Sequence, residues 1–307
     1  MLSGMAAAGL FAAMLLSPEA VSEGAQKGLL LWFRNVLPTL FPFMIATGLM
    51  ISCGGMHLIS GLCGRLFSFL FSTSGNGAFA VLTGFLCGYP MGAKTTADLV
   101  RSGRISRDEG AYLLSFCNNT SPAFAVNYIV LQTFGDKNLL VPTLLILFGV
   151  PVLLSVFYRP VYLKGRRKFP ELGEKCTDAS EKFDFSMLDS CLADSFDSIV
   201  KVGLYIIFFS VLIHLIGSTG DNRVLTGILL PVLEMTNGIR MIRLTFPDFA
   251  LSYPLILALS ASGGLCAAAQ TECMLRGSGL PVRPYIAQKL AAAAAASLLG
   301  IMYVNHF

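Results

Sequence analysis

Long apolar blocks separated by short polar punctuation fill this chain, and the blocks are of the length that spans a membrane. Gly28 to Ser52 is one block, with Pro38 and Pro42 inside it; Leu139 to Tyr158 is a second and Ile199 to Gly217 a third. Pro281 to Val304 is a fourth, alanine-rich and carrying Lys289. Each approaches or exceeds the roughly 20 residues that span a bilayer as a helix. Proline within such a helix predicts a kink rather than an end. The first twenty residues, "MLSGMAAAGLFAAMLLSPEA", have a short apolar core but no basic residue before Lys27, so a short first membrane helix is favoured over a cleaved signal.

Between Arg159 and Lys182 lies the one long polar stretch, with seven of the chain's 22 Lys and Arg. The positive-inside rule places it in the cytoplasm. It divides the chain into an N-terminal membrane helix (1–27), a first repeat (28–158), a linker (159–188) and a second repeat (189–307). The halves can be aligned: Thr95, Leu99, Ser102 and Gly103 match Thr271, Leu275, Ser278 and Gly279 in a T-x-x-x-L-x-x-S-G pattern. This alignment puts Gln270 of the second half opposite Lys94 of the first. Each matched segment follows a glycine-bearing apolar run, which predicts a re-entrant hairpin. With Gly28–Ser52, Asp108–Leu131 and Leu139–Tyr158 as crossings, three separate the entry helices of the two halves, so the second half is inverted. Arg65, Arg101, Arg104 and Arg107 then fall inside, whereas Arg240, Arg243, Arg276 and Arg283 fall outside, against the rule.

Composition agrees with this class. Of 307 residues 54% are hydrophobic and 13% charged, with a mean hydropathy of +0.69; soluble domains carry about 25% charged residues. The net charge of +4 comes from basic residues in loops, which argues against a nucleic-acid partner and for the lipid bilayer. Eight cysteines without a C-x-x-C pair read as packing residues, and three scattered histidines supply no metal site. No hydrolase or metalloprotease motif is present. An enzyme is not expected, nor is a cofactor.

Polar residues inside apolar blocks carry what chemistry there is. "GFLCGYPMGAKTTADLVRSG" resembles a phosphate loop, but Ala93 separates Gly92 from Lys94, and both flanks are apolar. Its Gly88 and Gly92 are read as hairpin-tip glycines, with Lys94 and Thr95 beside them. Lys94 also reads as a snorkelling side chain paired with Asp98 one turn on. "SFCNNTSPAF" sets Asn118, Asn119 and Ser121 before Pro122, which strips carbonyls of partners in an otherwise helical segment; the two asparagines also read as a structural bridge. "LLPVLEMTNG" contributes Glu234, Thr236 and Asn237, with a membrane-surface position as the alternative for Glu234. "SASGGLCAAAQT" contributes Ser262, Gln270 and Thr271 around Gly263 and Gly264, a run that also suits close helix packing.

Together "GYPMGAKTTADLVRSGRIS", "LLSFCNNTSP", "LEMTNG" and "SASGGLCAAAQT" resemble the nucleoside-recognition or gate-domain family, in particular its sporulation integral membrane branch, over about residues 28–304. The family is similar to concentrative nucleoside transporters. The resemblance implies an all-α polytopic membrane protein of two inverted repeats, each with a re-entrant hairpin and a partly unwound helix. It implies hairpin tips at Gly88–Thr95 and Ser262–Gln270, and unwound stretches at Asn118–Ser121 and Glu234–Asn237. It also implies a secondary carrier in a bacterial cell membrane, here the outer forespore membrane, working by alternating access with dipicolinate as substrate. Helix N-termini and Lys94 suit a small anion better than a neutral nucleoside, and Glu234 is read as carrying a coupling proton or neighbouring a sodium ion. The alternatives are a nucleoside or nucleobase carrier and a non-transporting membrane component of sporulation.

Overall fold

The computed structural model describes residues 2–170, 184–217 and 223–306, and it is helical throughout those residues. Five helices there are long and apolar enough to cross a membrane. Apolar side chains such as Phe33, Phe157, Leu204 and Leu290 remain exposed on them, as an integral membrane protein requires.

The elements run as follows. Helix α1 is Leu2–Leu16, and α2 is the span Pro18–Ser52, with a widened π turn at Trp32–Val36. Helix α3 is Met56–Phe71, α4 Gly75–Cys87, α5 Met91–Arg101 and α6 Arg107–Cys117. Residues 122–134 form α7, and α8 is the span Lys137–Leu163. Helix α9 is Phe185–Gly217, residues 225–232 form the short irregular α10, and α11 is Met235–Thr245. Helices α12 (Phe249–Ser262), α13 (Gly264–Leu275) and α14 (Val282–His306) complete the chain.

Capping side chains set several starts. Ser74, Ser106 and Ser121 accept from the amides of Gly77, Glu109 and Phe124, and Asp248 accepts from that of Ala250. Each satisfies a donor that an N-terminal turn leaves open.

Hydrogen bonds between ends fix the topology. Arg104 donates to the carbonyl of Ile51 at 2.8 Å, and Asn76 donates to that of Arg104 at 3.1 Å. Lys164 pairs with Asp108 at 3.0 Å. Hence the end of α2, the start of α4, the end of α5, the start of α6 and the end of α8 share one side, the linker side. On the far side Phe134 packs edge-on against Phe249, and Arg243 lies over the Phe134 ring. Helices α4 and α5 therefore enter and leave on one side. Thirteen residues at 1.5 Å each reach about 20 Å, short of a hydrocarbon core of about 30 Å. They form a re-entrant hairpin whose tip is Gly88–Pro90.

The second half departs from the expected assignment. Helices α12 and α13 do not fold back on each other; Phe249–Leu275 is one 27-residue apolar span, interrupted at Gly263. The second hairpin lies earlier, in α10 and α11. There Gly227 is pressed against Phe246, and Gly238 against the carbonyl of Pro231, so the limbs are antiparallel with a tip at Leu233–Glu234. The expected hairpin tip at Ser262–Gln270 is thus the break of a span, and the expected unwound stretch at Glu234–Asn237 is a hairpin tip. The unwound stretch expected at Asn118–Ser121, by contrast, is present: α6 stops at Cys117 and α7 resumes at Pro122.

Each half now has one order: span, hairpin, broken span, continuous span. In the first half the broken span α6–α7 leaves the linker side, and in the second half α12–α13 arrives there. The matched motif segments, however, are not inverted counterparts. Arg101 at the end of α5 donates to the carbonyl of Arg276 beyond α13 at 2.8 Å, so both segments end on the linker side. This moves Arg276 from the side expected for it to that of Arg101, and improves the charge bias of the linker side. The linker is also shorter than 159–188, since α8 continues to Leu163 and α9 starts at Phe185. Residues 171–183, including Cys176, lie outside the described residues.

Candidate functional site

Four interruptions meet at mid-depth: the tip Gly88–Pro90, the break Asn118–Ser121, the tip Leu233–Glu234 and the break Ser262–Gly264. Small residues let the backbones approach this closely. A side-chain carbon on Gly84 or Gly92 would run into the carbonyl of Cys117, and one on Gly88 would lie 2.7 Å from the amide nitrogen of Ser121. These three glycines, four residues apart, form the seat on which the first break lies. At the second break Gly263 and Gly264 have φ of 80° and 74°, left-handed values that side chains rarely adopt.

Cross-links then tie the interruptions together. Tyr89 donates to the carbonyl of Ala261 at 2.8 Å, Thr120 to that of Ser260 at 3.2 Å, and the amide of Cys266 to the carbonyl of Leu233 at 2.9 Å. Asn118 accepts from the amide of Ala93 at 3.3 Å and donates to Thr271 and Tyr285 at 3.0 and 2.9 Å. One asparagine thus caps α5 and links the first break to α13 and α14. Asn119 donates to the carbonyl of Phe116 and accepts from Lys289 at 2.9 Å.

A cavity of about 770 Å³ opens between these elements and α2. Of the residues singled out in the sequence, Gly88, Ser121, Glu234, Thr236, Gly263 and Gln270 line it. Asn118, Asn119, Asn237, Ser262, Thr271, Gly92 and Gly264 stand behind the wall, where they hold the interruptions in place. Ser262 donates to the carbonyl of Leu259, and Asn237 donates to Ser210 at 3.2 Å. The Thr95 hydroxyl is buried without a hydrogen-bond partner and does not line the cavity.

Lys94 is not a free charge beside the tip. Its ammonium pairs with Asp98 at 3.2 Å and with Asp194 of α9 at 2.6 Å, and it lies outside the cavity. The i,i+4 pairing is present, and the contrast drawn from Lys94 against Gln270 dissolves, because the two occupy different surroundings. Lys94→Ala should therefore lower thermal stability by about 2 kcal/mol, since one partner is largely exposed. Ligand half-saturation should stay within about twofold of wild type. Thermal unfolding and a titration on the same preparation check both.

Glu234 is buried at a hairpin tip rather than placed at a membrane surface. Its two oxygens accept from the amides of Thr236 and Asn237 at 2.9 and 2.8 Å, as an N-terminal cap does. Glu234→Ala should cost about 2 kcal/mol. Glu234→Asp should recover part of it in the same unfolding assay.

Two functional candidates escaped the sequence reading. Arg34 and Asn35 sit in the π turn of α2 and line the cavity, and Arg34 has no ion-pair or hydrogen-bond partner among the described residues. A π turn inside a helix is a frequent mark of function. The sequence signal was a lone arginine in "LLLWFRNVLPTL". The second is Lys289, buried behind Tyr89. Aromatic residues Phe43, Tyr89, Phe124 and Tyr128 complete the lining with Asn127 and Gln132. Among the described residues no cluster of His, Cys, Asp and Glu is arranged to hold a metal.

Comparison with known proteins adds a family. The model of the Gate family, described as nucleoside recognition, matches residues 33–137. These residues contain the π-turn arginine, the first hairpin and the first broken span. The chain is 33% identical over 130 residues to the sporulation integral membrane protein YlbJ of Bacillus subtilis (strain 168), an alignment covering 42% of this chain and 32% of that protein. The matched stretch thus spans about a third of that relative. No solved structure matches.

Proposed function

We propose, on the premise that this chain is a YlbJ-type member of the nucleoside-recognition family, that it is a secondary carrier for a small carboxylate. Dipicolinate during spore formation is the leading substrate, and the outer forespore membrane its place of action. The observation that carries this reading is Arg34, a cation without a counter-charge among the described residues, lining a cavity within the membrane span. A guanidinium there is costly unless an anion or water meets it, and its planar fork suits a carboxylate. Four aromatic rings in the wall suit a flat ring on the same ligand. The reading is also supported by the hairpin tips and broken spans around the cavity, since discontinuous helices of this kind bind substrate in other carriers. The hairpins, entering from opposite sides, act as the two gates.

Glu234 and Gln270 in the lining favour a nucleoside as the second reading, since both accept or donate to hydroxyls. Both oxygens of Glu234 already cap α11, which leaves less of that carboxylate for a ribose. Flux of labelled dipicolinate into proteoliposomes separates the readings. Saturable uptake inhibited by pyridine dicarboxylates but not by uridine or adenosine supports the carboxylate carrier. Inhibition by nucleosides alone supports the second reading. No flux of either ligand points to a non-transporting component of sporulation.

A further inference from the structure

Lys289 is a buried cation that the site does not explain. It is 5% exposed on α14, one turn beyond Tyr285. Its ammonium donates to Asn119 Oδ1 at 2.9 Å and to the Ala261 carbonyl at 3.4 Å. It lies 4.9 Å from the centre of the Tyr89 ring and 6.0 Å from that of Tyr285. The amide of Asn119 is held in this orientation because its nitrogen donates to Phe116. No carboxylate pairs with Lys289 among the described residues.

A buried ammonium without a counter-ion is expensive, and the groups that meet this one are specific. Asn119 follows the C-terminus of α6, and Ala261 is in the last turn of α12. Carbonyls at helix C-termini lack helical partners and carry the negative end of the dipole. A backbone carbonyl from the last turn of α12 and a side-chain oxygen from the first break, one from each half, thus meet at one point, and two ring faces flank it. In carriers built from discontinuous helices, unwound carbonyls and half-helix C-terminal ends are the groups that hold a coupling cation.

We propose that Lys289 is a built-in cation standing where a coupling sodium ion would bind, so that the protein takes up its substrate without sodium. The ammonium ties the first break, the second break and the first hairpin tip together, as a bound metal ion would. Its attachment to α14 makes that tie permanent. This rests on the carrier reading, but its first test does not depend on transport.

The test is thermal unfolding of the purified protein in detergent, in sodium chloride and in choline chloride at equal ionic strength. The wild type should unfold at the same temperature in both salts. Lys289→Ala should unfold earlier and recover part of the loss with methylammonium, which refills the vacated position. Lys289→Met, which keeps the bulk without the charge, should also unfold earlier, and methylammonium should not rescue it. Wild-type stabilisation by millimolar sodium over choline would overturn the proposal. So would Lys289→Met unfolding at the wild-type temperature, because the charge would then have no part. In proteoliposomes, wild-type dipicolinate flux should be unchanged when choline replaces sodium, and a sodium requirement would overturn the proposal. A wild type that moves no ligand would sink the carrier reading, and the unfolding series would still decide the role of Lys289.

Discussion

Arg34→Ala should raise the half-saturation concentration for dipicolinate about 10- to 100-fold. The estimate follows from one charge-assisted contact of about 1.5–3 kcal/mol, at 1.4 kcal/mol for each factor of ten. Thermal stability should change little, because Arg34 has no partner among the described residues to lose. Arg34→Lys should recover only part of the affinity: a lysine supplies a point charge without the fork that grips two carboxylate oxygens. A binding titration alongside thermal unfolding separates this from a folding defect. Equal loss for dipicolinate and for a neutral pyridine analogue would remove the charge-recognition role.

Gly84→Ala should have the largest effect on folding. Its new methyl would stand on the Cys117 carbonyl, 2.9 Å from the carbonyl carbon and 3.1 Å from the Cα of Gly92. All three neighbours are backbone, so no side chain can swing aside. Relief requires separating α4 from α5 or lifting the first break off its seat. Overpacked cores lose about 1–3 kcal/mol where side chains can adjust; here the loss should reach the upper end or exceed it. The expected result is little or no monodisperse protein after detergent extraction. Gly149→Ala is the control. Nothing lies within 4 Å of that position, and alanine in a helix interior gains roughly 0.5–1 kcal/mol over glycine. Gly84→Ala protein as stable as the control would contradict the packing at the seat.

Much of this fold could be read from the chain. The span-length blocks at Gly28–Ser52, Leu139–Tyr158, Ile199–Gly217 and Pro281–Val304 lie within spanning helices to within one residue, because apolar run length reports directly on bilayer thickness. "SFCNNTSP" was legible as a break, since Pro122 cannot donate and the preceding polar side chains must serve the freed backbone. The second half was harder. Gly263 and Gly264 at a break read like the glycines of a hairpin tip, because both need positive φ. Order along the chain held the answer: the first half places its hairpin before its broken span, and the second half does the same. The chance pattern shared by α5 and α13 obscured that order.

The cations are hard to place from the sequence for a physical reason. Lys94 stands next to the hairpin tip in sequence, but its helix turns it towards Asp98, and packing brings Asp194 from a hundred residues away. Arg34 and Lys289 stand far from every glycine-rich motif, and only the fold carries them to the interruptions. A lone charge within an apolar span was the better signal, and both residues carried it.

The claim at the centre is that the four interruptions and the π turn of α2 enclose a carboxylate site. A structure of the protein with dipicolinate bound tests it most directly. The account predicts the ligand between Arg34 and the tip residue Tyr89, with a carboxylate in hydrogen-bond reach of the guanidinium and Lys94 still paired with Asp98 and Asp194. Ligand density against Lys94 with those pairs broken, or outside the cavity altogether, would contradict it.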